Sequence, residues 1–573
     1  MARRHPGAAV PVPLAAGLGL QYAGLVLPGV VLLPTIVFTA AGVSEAAMLW
    51  AVFASVVLCG AITMLQGCRI GRFGAGYVIV TGTSGPAIAV SIAALAAGGP
   101  ALLAVLVLAL ALFQFAFSAR LFLFRRILTP TVTGTVMMLT PVTVMPVIFE
   151  QLNSVPPASP TLAAPLSAVT TLAAVGCIVL KGGGTLRLWA PVIGIVAGSL
   201  VASAFGLYDV DGIVDASWIG FPQARWPGID LDFGPAFWGL LPAFLLIALV
   251  CTIETMSGAV AIQRASWSKP RAVDFRAVQG AVAADATGNL LSALAGGVPL
   301  GFRPNGTAMV EITGLSSRHI GVAVGAALVL LACLPKALAV VLAIPSPVIA
   351  AFITIMMATI FAIGMNVVLQ DGPDYRKGLI VGLSFWIGAG FEAGAVFPEL
   401  ASRLAGGVPP NGMIAGGLTA IVMTLLVELT KPRSGRMEVN FDISALNEIR
   451  EFIGRFAARR GWDAAMTARL GAASEETLLT LLDQDEAAAE AERRRRLRLV
   501  ARSEDGGAIL EFVAPKGREN LQDRIALLGE VSAEDAIERE ASLRLLRHLA
   551  STVRHQQYHD RGIVTVRVNP SGA

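Results

Sequence analysis

The chain has 573 residues, of which 55% are hydrophobic and only 14% are charged, and its formal net charge is +4. Its mean hydropathy of +0.70 lies outside the range of soluble globular proteins, so most of the chain is expected to lie in lipid. Residues 1–436 hold 23 Lys and Arg against 16 Asp and Glu, and residues 437–573 hold 20 against 23. Neither part has the dense basic patch of a nucleic-acid-binding protein, so no nucleic acid is predicted as a partner.

Apolar runs of roughly 20 residues recur along the chain and then stop. In chain order they predict about fourteen transmembrane segments, at residues 14–40, 46–66, 77–97, 101–117, 128–149, 162–180, 188–205, 237–262, 278–295, 298–317, 320–344, 346–369, 378–396 and 413–429. The predicted fold is therefore an all-α polytopic membrane protein, with a transmembrane domain at 1–436 and a soluble α/β domain at 437–573.

The distribution of basic residues tests this count, because cytoplasmic loops collect Lys and Arg. With the N-terminus inside, only Arg225 and Arg403 fall in external loops. The cytoplasmic segments hold Arg3, Arg4, Arg69, Arg72, Arg120, Arg125, Arg126, Lys181, Arg187, Arg264, Lys269, Arg271, Arg276, Arg318, Arg376, Lys377, Lys431, Arg433 and Arg436. We therefore expect a multi-pass protein of the bacterial inner membrane with both termini in the cytoplasm.

Two predicted spans are interrupted at corresponding places in the two halves of the sequence. The third reads GYVIVTGTSGPAIAV (residues 76–90) and the tenth reads GGVPLGFRPNGTAMV (residues 296–310). Each has a short extended run, broken by Gly and Pro, before a helical stretch. Paired interruptions of this kind are typical of the binding site of inverted-repeat transporters. The alternative is that Gly and Pro only kink packed helices.

Ionisable side chains inside apolar spans are costly and are therefore functional candidates. Those in this chain are Glu254, Asp285, Arg303, Glu311, Lys336 and Glu392. Lys336 and Glu392 are interpreted as snorkelling or cavity-rim residues. Because no histidine lies in a span, any proton coupling must use carboxylates. Arg303 needs a partner, which could be Glu254, Glu311 or an anionic substrate.

Four further stretches are distinctive: GLQYAGLVLPGVVLLP (residues 19–34), TIETMSGAVAI around Glu254, ADATGNLLSALAGGVP (residues 284–299) and NGTAMVEITGLSSR (residues 305–318). Together they resemble the nucleobase-ascorbate transporters, also called xanthine/uracil permeases. The resemblance covers roughly residues 14–430 in order. It implies a seven-plus-seven inverted repeat with a core and a gate domain, and a substrate held between the half-helices of the third and tenth spans.

The resemblance also implies roles for individual residues. Glu254 matches the glutamate that binds the nucleobase, Asp285 the aspartate needed for transport, and Asn305 the Gln or Glu that opens the family signature. The sequence departs from the family at three positions. Gly306 stands where members usually carry Asn, Gly258 where they often carry His or Asp, and Tyr22 where they commonly carry His. The predicted substrate-binding residues are Glu254, Asn305, Arg303, Gly306, Thr83, Ser84 and Tyr22, and the predicted proton-coupling residues are Asp285, Glu254 and Glu311.

The predicted function is secondary active transport of a nucleobase such as xanthine, urate or uracil by proton symport. No enzymatic activity, cofactor or metal is predicted. The expected partners are the nucleobase, protons and the lipid bilayer, and a homodimer and a cytoplasmic regulatory protein stay open. The alternatives are transport of another organic anion on the same fold, since fold does not fix substrate, and a membrane sensor that signals through the C-terminal domain.

The order of elements after residue 436 resembles the ATPase domain of histidine kinases and anti-sigma-factor kinases. Yet Thr480 stands where the magnesium-binding Asn would follow Glu475 and Glu476, and the phosphate-binding glycines are absent. A degenerate domain that does not bind ATP is therefore predicted.

Overall fold

The computed structural model describes most of the chain. The described residues are 10–121, 129–156, 159–208, 211–222, 228–229, 231–267, 271–303, 306, 310, 315–369, 372, 374–397, 399, 412–430, 434–483, 496–504, 507–515, 520–526 and 536–569. Two compact units make up the chain. The membrane unit comprises Met1–Ser268 and Ala277–Glu428, and the C-terminal unit comprises Lys269–Arg276 and Leu429–Ala573. The last break lies shortly before the boundary predicted at residue 436.

The membrane unit consists of helices and two short strands. They are α1 (Val12–Ala40), α2 (Glu45–Cys68), β1 (Val80–Thr83), α3 (Ile88–Ala119), α4 (Pro130–Asn153), α5 (Ala163–Lys181), α6 (Gly184–Ala204), α7 (Asp211–Asp215), α8 (Pro235–Ser266), α9 (Phe275–Ala295), β2 (Leu300–Arg303), α10 (Arg318–Ala332), α11 (Pro335–Leu342), α12 (Ser346–Leu369), α13 (Tyr375–Glu392) and α14 (Gly412–Thr430).

Several of these helices can cross a membrane. Within the described part, seven are long and apolar enough, namely α1, α2, α3, α4, α5, α8 and α12. The pair α10 and α11, bent by 86°, adds an eighth if the two helices form one span. The chain is therefore a multi-pass membrane protein. Helices α6 and α14 have only shorter apolar stretches. The number fourteen and the inverted repeat stay predictions.

Both interrupted spans contain the strand that the sequence predicts. Strand β1 precedes α3 in the third span, and β2 lies at the start of the tenth. The strands pair with each other in an antiparallel sheet, with Val80 opposite Arg303 and Thr83 opposite Leu300. Helix α3 consists of two helical stretches joined at a kink. Gly98 and Gly99 are non-helical, with a left-handed φ of 69° at Gly99 before Pro100, and this break lies between the third and fourth spans that the sequence predicts.

Glycines let two pairs of helices approach closely. A Cβ atom on Gly60 of α2 would lie 2.6 Å from the carbonyl oxygen of Gly325 on α10. One on Gly134 of α4 would lie 2.5 Å from the carbonyl oxygen of Gly364 on α12. Such small-residue contacts are how helices pack in lipid, where burying apolar surface gives no driving force.

The C-terminal unit is an α/β domain. Its elements are β3 (Gly435–Asn440), α15 (Ala445–Arg460), α16 (Ala464–Asp483), β4 (Arg496–Glu504), β5 (Gly507–Pro515), α17 (Leu521–Ala526), α18 (Ala536–Leu549), β6 (Thr552–Gln557) and β7 (Arg561–Val568). The antiparallel sheet has the order β3-β4-β5-β7-β6. Every second residue of the central strands points to the helices, for example Leu499 on β4, Phe512 on β5 and Val564 on β7. These side chains pack with apolar residues of the helices in one core. The sequence predicts one strand at the end of the chain, whereas the structure has the hairpin β6–β7.

Candidate functional site

The small β1–β2 sheet is the centre of the candidate site. Its strands come from segments more than 200 residues apart, and Thr81 and Thr83 of β1 are buried. Exposed backbone polar groups are not tolerated in a bilayer core, so a sheet at this depth has to be enclosed by protein. The neighbouring helices that supply its polar contacts are α1, α2, α8 and α9.

Asp285 connects four elements around this sheet. Its side chain is 1% exposed. Oδ1 accepts hydrogen bonds from Nε2 of Gln66 on α2 (3.2 Å) and from Oγ1 of Thr81 on β1 (3.4 Å). Oδ2 accepts a short hydrogen bond from Oγ1 of Thr255 on α8. Asp285 itself lies on α9, so one carboxylate ties two helices and a strand to a third helix. This set of contacts explains why a buried carboxylate is tolerated at this position.

Glu254 lies next to Thr255 on α8 but has a different environment. Its side chain is partly exposed, and within the part of the chain that the structure describes its carboxylate makes no hydrogen bond or ion pair. The charges of Arg303 and Asp285 lie near enough to interact with it electrostatically. Among the described site residues, Glu254 is therefore an acidic group that remains available to a ligand.

Arg303, at the end of β2, is held by the opposite strand. Its Nη2 donates to the backbone carbonyl of Thr83 and, at 3.3 Å, to the Thr83 hydroxyl. That hydroxyl donates in turn to the carbonyl of Gly29 on α1 (3.0 Å). A Cβ atom on Gly82 would lie 2.6 Å from Nε of Arg303, so the glycine makes room for the side chain. Among the described residues, the partner is thus Thr83 and not Glu254.

Three other predicted site residues, Ser84, Tyr22 and Gly306, are buried in the membrane unit. Ser84 is buried and its Oγ lies 3.2 Å from Sγ of Cys251, one turn before Glu254. Tyr22 is buried on α1, seven residues before Gly29 and so on a similar face of that helix. A Cβ atom on Gly306 would lie 2.8 Å from the carbonyl oxygen of Val78.

Two predicted residues, Asn305 and Glu311, lie outside the described residues. The residue at the family's variable position, Gly258, makes room for a ring of the sheet. A Cβ atom there would lie 2.4 Å from the ring of Phe302 on β2. The aromatic ring therefore occupies the space beside Gly258, one helical turn after Glu254.

Sequence reasoning missed Gln66, Thr81 and Thr255, the three partners of Asp285. The proximity of Thr255 to Glu254 was a usable signal. Nothing in the sequence marks Gln66, because its role depends on how α2 packs.

Lys336 and Glu392 have contacts of their own, with residues outside the β1–β2 sheet. The ammonium group of Lys336 is 4.8 Å from the ring centroid of Trp218. Oε2 of Glu392 accepts the backbone N–H of Gly412 at 2.9 Å and so caps the start of α14.

A cavity of about 660 Å³ lies elsewhere in the membrane unit. Its walls are mostly apolar, as at Phe53, Phe221 and Leu338, and none of the predicted site residues lines it. We place the candidate site at the sheet because the buried charges are there and not at this cavity.

In the C-terminal unit, the carboxylates at the suspected nucleotide-binding position already have partners. Nε of Arg450 donates to Oε1 of Glu475 at 2.7 Å. The hydroxyl of Ser542 on α18 donates to Glu476, and the hydroxyl of Thr480 donates to the Glu476 backbone carbonyl at 2.7 Å. These contacts occupy the acidic side chains with protein groups.

Known proteins are similar to this chain over most of the membrane unit. The model of the xanthine/uracil permease family, described as a permease family, matches residues 15–396. The uric acid permease PucK of Bacillus subtilis is 25% identical over 427 residues, which cover 73% of this chain and 96% of PucK. The xanthine permease XanP of Escherichia coli is 25% identical over 383 residues, which cover 64% of this chain and 82% of XanP.

A solved structure shows the fold alone. The murine anion transporter Slc26a9 aligns with a TM-score of 0.50 at 12% identity, over 76% of this chain and 71% of that one. Since the family model spans most of the membrane unit, including both strands of the sheet, Glu254 and Asp285, the chain belongs to the xanthine/uracil permease family and is a transporter, not an enzyme.

Proposed function

We propose that the protein transports a nucleobase across the membrane, and that the substrate is an oxidised purine such as xanthine or urate. The observation that carries this proposal is the position of Glu254, a partly exposed carboxylate without a hydrogen-bond or ion-pair partner among the described residues, beside a sheet that ends in Arg303. A nucleobase presents adjacent N–H donors and carbonyl acceptors. Glu254 can accept from the donors, and the N–H groups of Arg303 left free by Thr83 can donate to the acceptors. The names of the relatives, a uric acid and a xanthine permease, support the same class.

The preference for an oxidised purine depends on Arg303. A guanidinium carries five N–H donors, and the contact with Thr83 uses only Nη2. The remaining donors and the positive charge favour an anionic ligand over a neutral one. Xanthine and urate can be anionic near neutral pH, whereas uracil is neutral.

We further propose that transport is coupled to protons through Glu254 and Asp285. No histidine lies in a predicted span, so carboxylates are the groups that can carry a proton there. The two share the α8–α9 contact through Thr255, so that a change at Glu254 can reach the bonds of Asp285. The direction is uptake by symport in the inner membrane, with about fourteen spans in an inverted repeat and both termini in the cytoplasm.

Uptake in Escherichia coli cells that lack their own purine permeases tests the function. Cells expressing the protein should accumulate radiolabelled xanthine, and unlabelled urate should compete better than uracil. Accumulation should collapse when a protonophore removes the proton gradient. Competition by an unrelated organic anion but by no purine would favour the alternative substrate class, and absence of any uptake by protein present in the membrane would contradict transport.

Purified protein in liposomes tests the coupling. Adding xanthine outside should acidify the lumen, as reported by a trapped pH-sensitive dye, because the proton enters with the substrate. Uptake of xanthine without any change in lumenal pH would remove proton symport and leave nucleobase transport intact.

A further inference from the structure

The start of strand β2 is fastened by one side chain on α9, Asn289. The backbone N–H of Leu300 donates to Oδ1 of Asn289 at 2.7 Å, and Nδ2 of Asn289 donates to the backbone carbonyl of Leu300 at 3.1 Å. Asn289 is 0% exposed. Its carboxamide therefore binds Leu300 as a neighbouring strand would, with one donor and one acceptor.

The register of the sheet explains why this residue is needed. Leu300 lies opposite Thr83, and the flanking bond of the ladder runs from the N–H of Ser84 to the carbonyl of Pro299 at 2.8 Å. In an antiparallel pair, alternate residues direct their N–H and C=O groups away from the partner strand. Leu300 is such a residue, so β1 cannot satisfy it. At this depth water cannot satisfy it either.

Asn289 also connects β2 to the helix that follows β1. The second N–H of its Nδ2 donates to Oε1 of Gln114 on α3, at 2.9 Å. Gln114 is 0% exposed, and within the described residues its own Nε2 has no hydrogen-bond partner. Gln114 is therefore present in this contact as an acceptor for Asn289.

The spacing on α9 relates this contact to the candidate site. Asn289 lies four residues after Asp285, which is about one turn, or roughly 6 Å along the axis. Asp285 binds β1 through Thr81, and Asn289 binds β2 through Leu300. Helix α9 thus holds both strands from one face, and it fixes the offset of one strand against the other.

We propose that Asn289 is a positioning residue for substrate binding, which sets the place of β2 and therefore of Arg303, three residues after Leu300. It does not touch the substrate. A strand of four residues with one partner strand is marginal by itself. If the Asn289 contact is lost, the strand can shift, and displacing a binding group by about 1 Å is enough to lower its contribution strongly. The inference depends on the proposed function only for the choice of purine substrates.

The test compares Asn289→Asp with Asn153→Asp in the full-length protein. The first change keeps the size and one acceptor but places oxygens against the Leu300 carbonyl and Gln114 Oε1. The control lies at the exposed end of α4, where Nδ2 donates to the Phe149 carbonyl of its own helix, at 2.9 Å. We expect KM for xanthine uptake to rise about tenfold for Asn289→Asp, with Vmax per transporter in the membrane nearly unchanged. The control should match wild type.

Gln114→Leu is the second variant. It removes a buried Nε2 donor that has no partner among the described residues, but it also leaves the second N–H of Asn289 without its acceptor, so the two effects on folding stability partly offset each other. It leaves the Leu300 contact in place, so the expected rise in KM is smaller, about threefold. If Asn289→Asp does not accumulate in the membrane, Gln114→Leu still tests whether Asn289 acts as a positioning residue. An unchanged KM in Gln114→Leu would contradict the proposal.

Hydrogen–deuterium exchange gives a readout that does not require transport. In detergent, peptides covering residues 299–303 should exchange faster in Asn289→Asp, whereas peptides from α12 should not change. Unchanged exchange at 299–303 together with unchanged KM and a lower Vmax would mean that Asn289 only supports folding. If wild type takes up no purine, the proposed function fails, but the exchange experiment still tests the role of Asn289.

Discussion

The membrane unit and the C-terminal unit each contain an antiparallel sheet, but different forces hold the two sheets. In the membrane unit two four-residue strands are bound by buried polar side chains, Asp285 and Asn289. In the C-terminal unit five strands pack an apolar core against helices, and the edge strand β3 carries Glu438, whose side chain is 43% exposed and pairs with Arg498.

The difference follows from the surroundings of each sheet. In lipid, apolar residues gain little free energy by facing protein instead of lipid. A backbone polar group without a hydrogen bond is costly there, so the hydrogen bonds to buried side chains are what hold the strands in place. In water, burying apolar surface is the main favourable term, and an exposed ion pair such as Glu438–Arg498 contributes little. Polar substitutions should therefore have large effects at the membrane sheet and small ones at the C-terminal sheet.

The largest expected effect is at Glu254. Glu254→Gln removes the charge available to the substrate and should lower xanthine uptake by about 10- to 100-fold, with normal amounts of protein in the membrane. Glu392→Gln is the control, because a glutamine oxygen can still accept the N–H of Gly412. The measurement compares the initial uptake rates of the two variants, normalised to the amount of protein in the membrane. Equal losses in the two variants would contradict the ranking.

The second effect concerns selectivity at Arg303. Arg303→Gln should reduce the preference for urate over uracil by about tenfold, because the guanidinium charge is lost while a polar side chain remains. Competition against labelled xanthine measures the preference. Lys336→Gln, which removes a cation outside the β1–β2 sheet whose contacts are with Trp218 and the Val214 carbonyl, serves as control. Unchanged selectivity combined with a lower unfolding temperature would show that Arg303 acts only by binding Thr83.

The third effect is an acid instability of the C-terminal unit. His555 is 2% exposed, and its Nδ1 accepts the backbone N–H of Leu521 at 3.0 Å. Burial lowers the pKa of His555 from 6.5 to about 4. The folded state binds the proton less readily than the unfolded state, so the free energy of unfolding of the C-terminal unit is highest above pH 6.5, where His555 is neutral in both states. This free energy falls by about 3 kcal/mol in total as the pH is lowered from 6.5 towards 4.

Hydrogen exchange of peptides from β6 and β7 in the full-length protein, measured from pH 7 to pH 4 with rates corrected for pH, tests this prediction. Protection should fall across this interval in wild type and in His548→Gln, whose histidine is exposed on α18. It should fall much less in His555→Gln. A similar fall in all three proteins would assign the acid sensitivity to other groups.

The smallest expected effect is that of Mg-ATP. The acidic groups at the suspected metal position are bound to Arg450 and Ser542, so we expect no binding. Millimolar Mg-ATP should shift the unfolding temperature of the purified protein by less than about 1 °C relative to Mg²⁺ alone. Binding of Mg-ATP with a micromolar dissociation constant in calorimetric titration would show that the domain retains a nucleotide site.

The features that could be predicted are those with a local physical cause. The extended runs at β1 and β2 follow from Gly and Pro in apolar segments, and the candidates Glu254 and Asp285 follow from the cost of a charge in lipid. The structural interpretation of Lys336 and Glu392 rests on the same argument. The extra hairpin β6–β7 was missed because the turn at His559–Asp560 is short and the flanking residues have mixed polarity.

Thus the amino-acid sequence by itself determined the class of protein, the two-part organisation, the family and the charged residues worth testing, because hydropathy, periodicity and motifs act over a few neighbouring residues. Only the tertiary structure decided that β1 pairs with β2, that Gln66, Thr81 and Thr255 satisfy Asp285, and that Thr83 holds Arg303. These contacts join residues about 30 to more than 200 positions apart. Their partners are chosen by packing geometry, since a buried polar group in lipid binds whichever donor or acceptor the fold brings within reach.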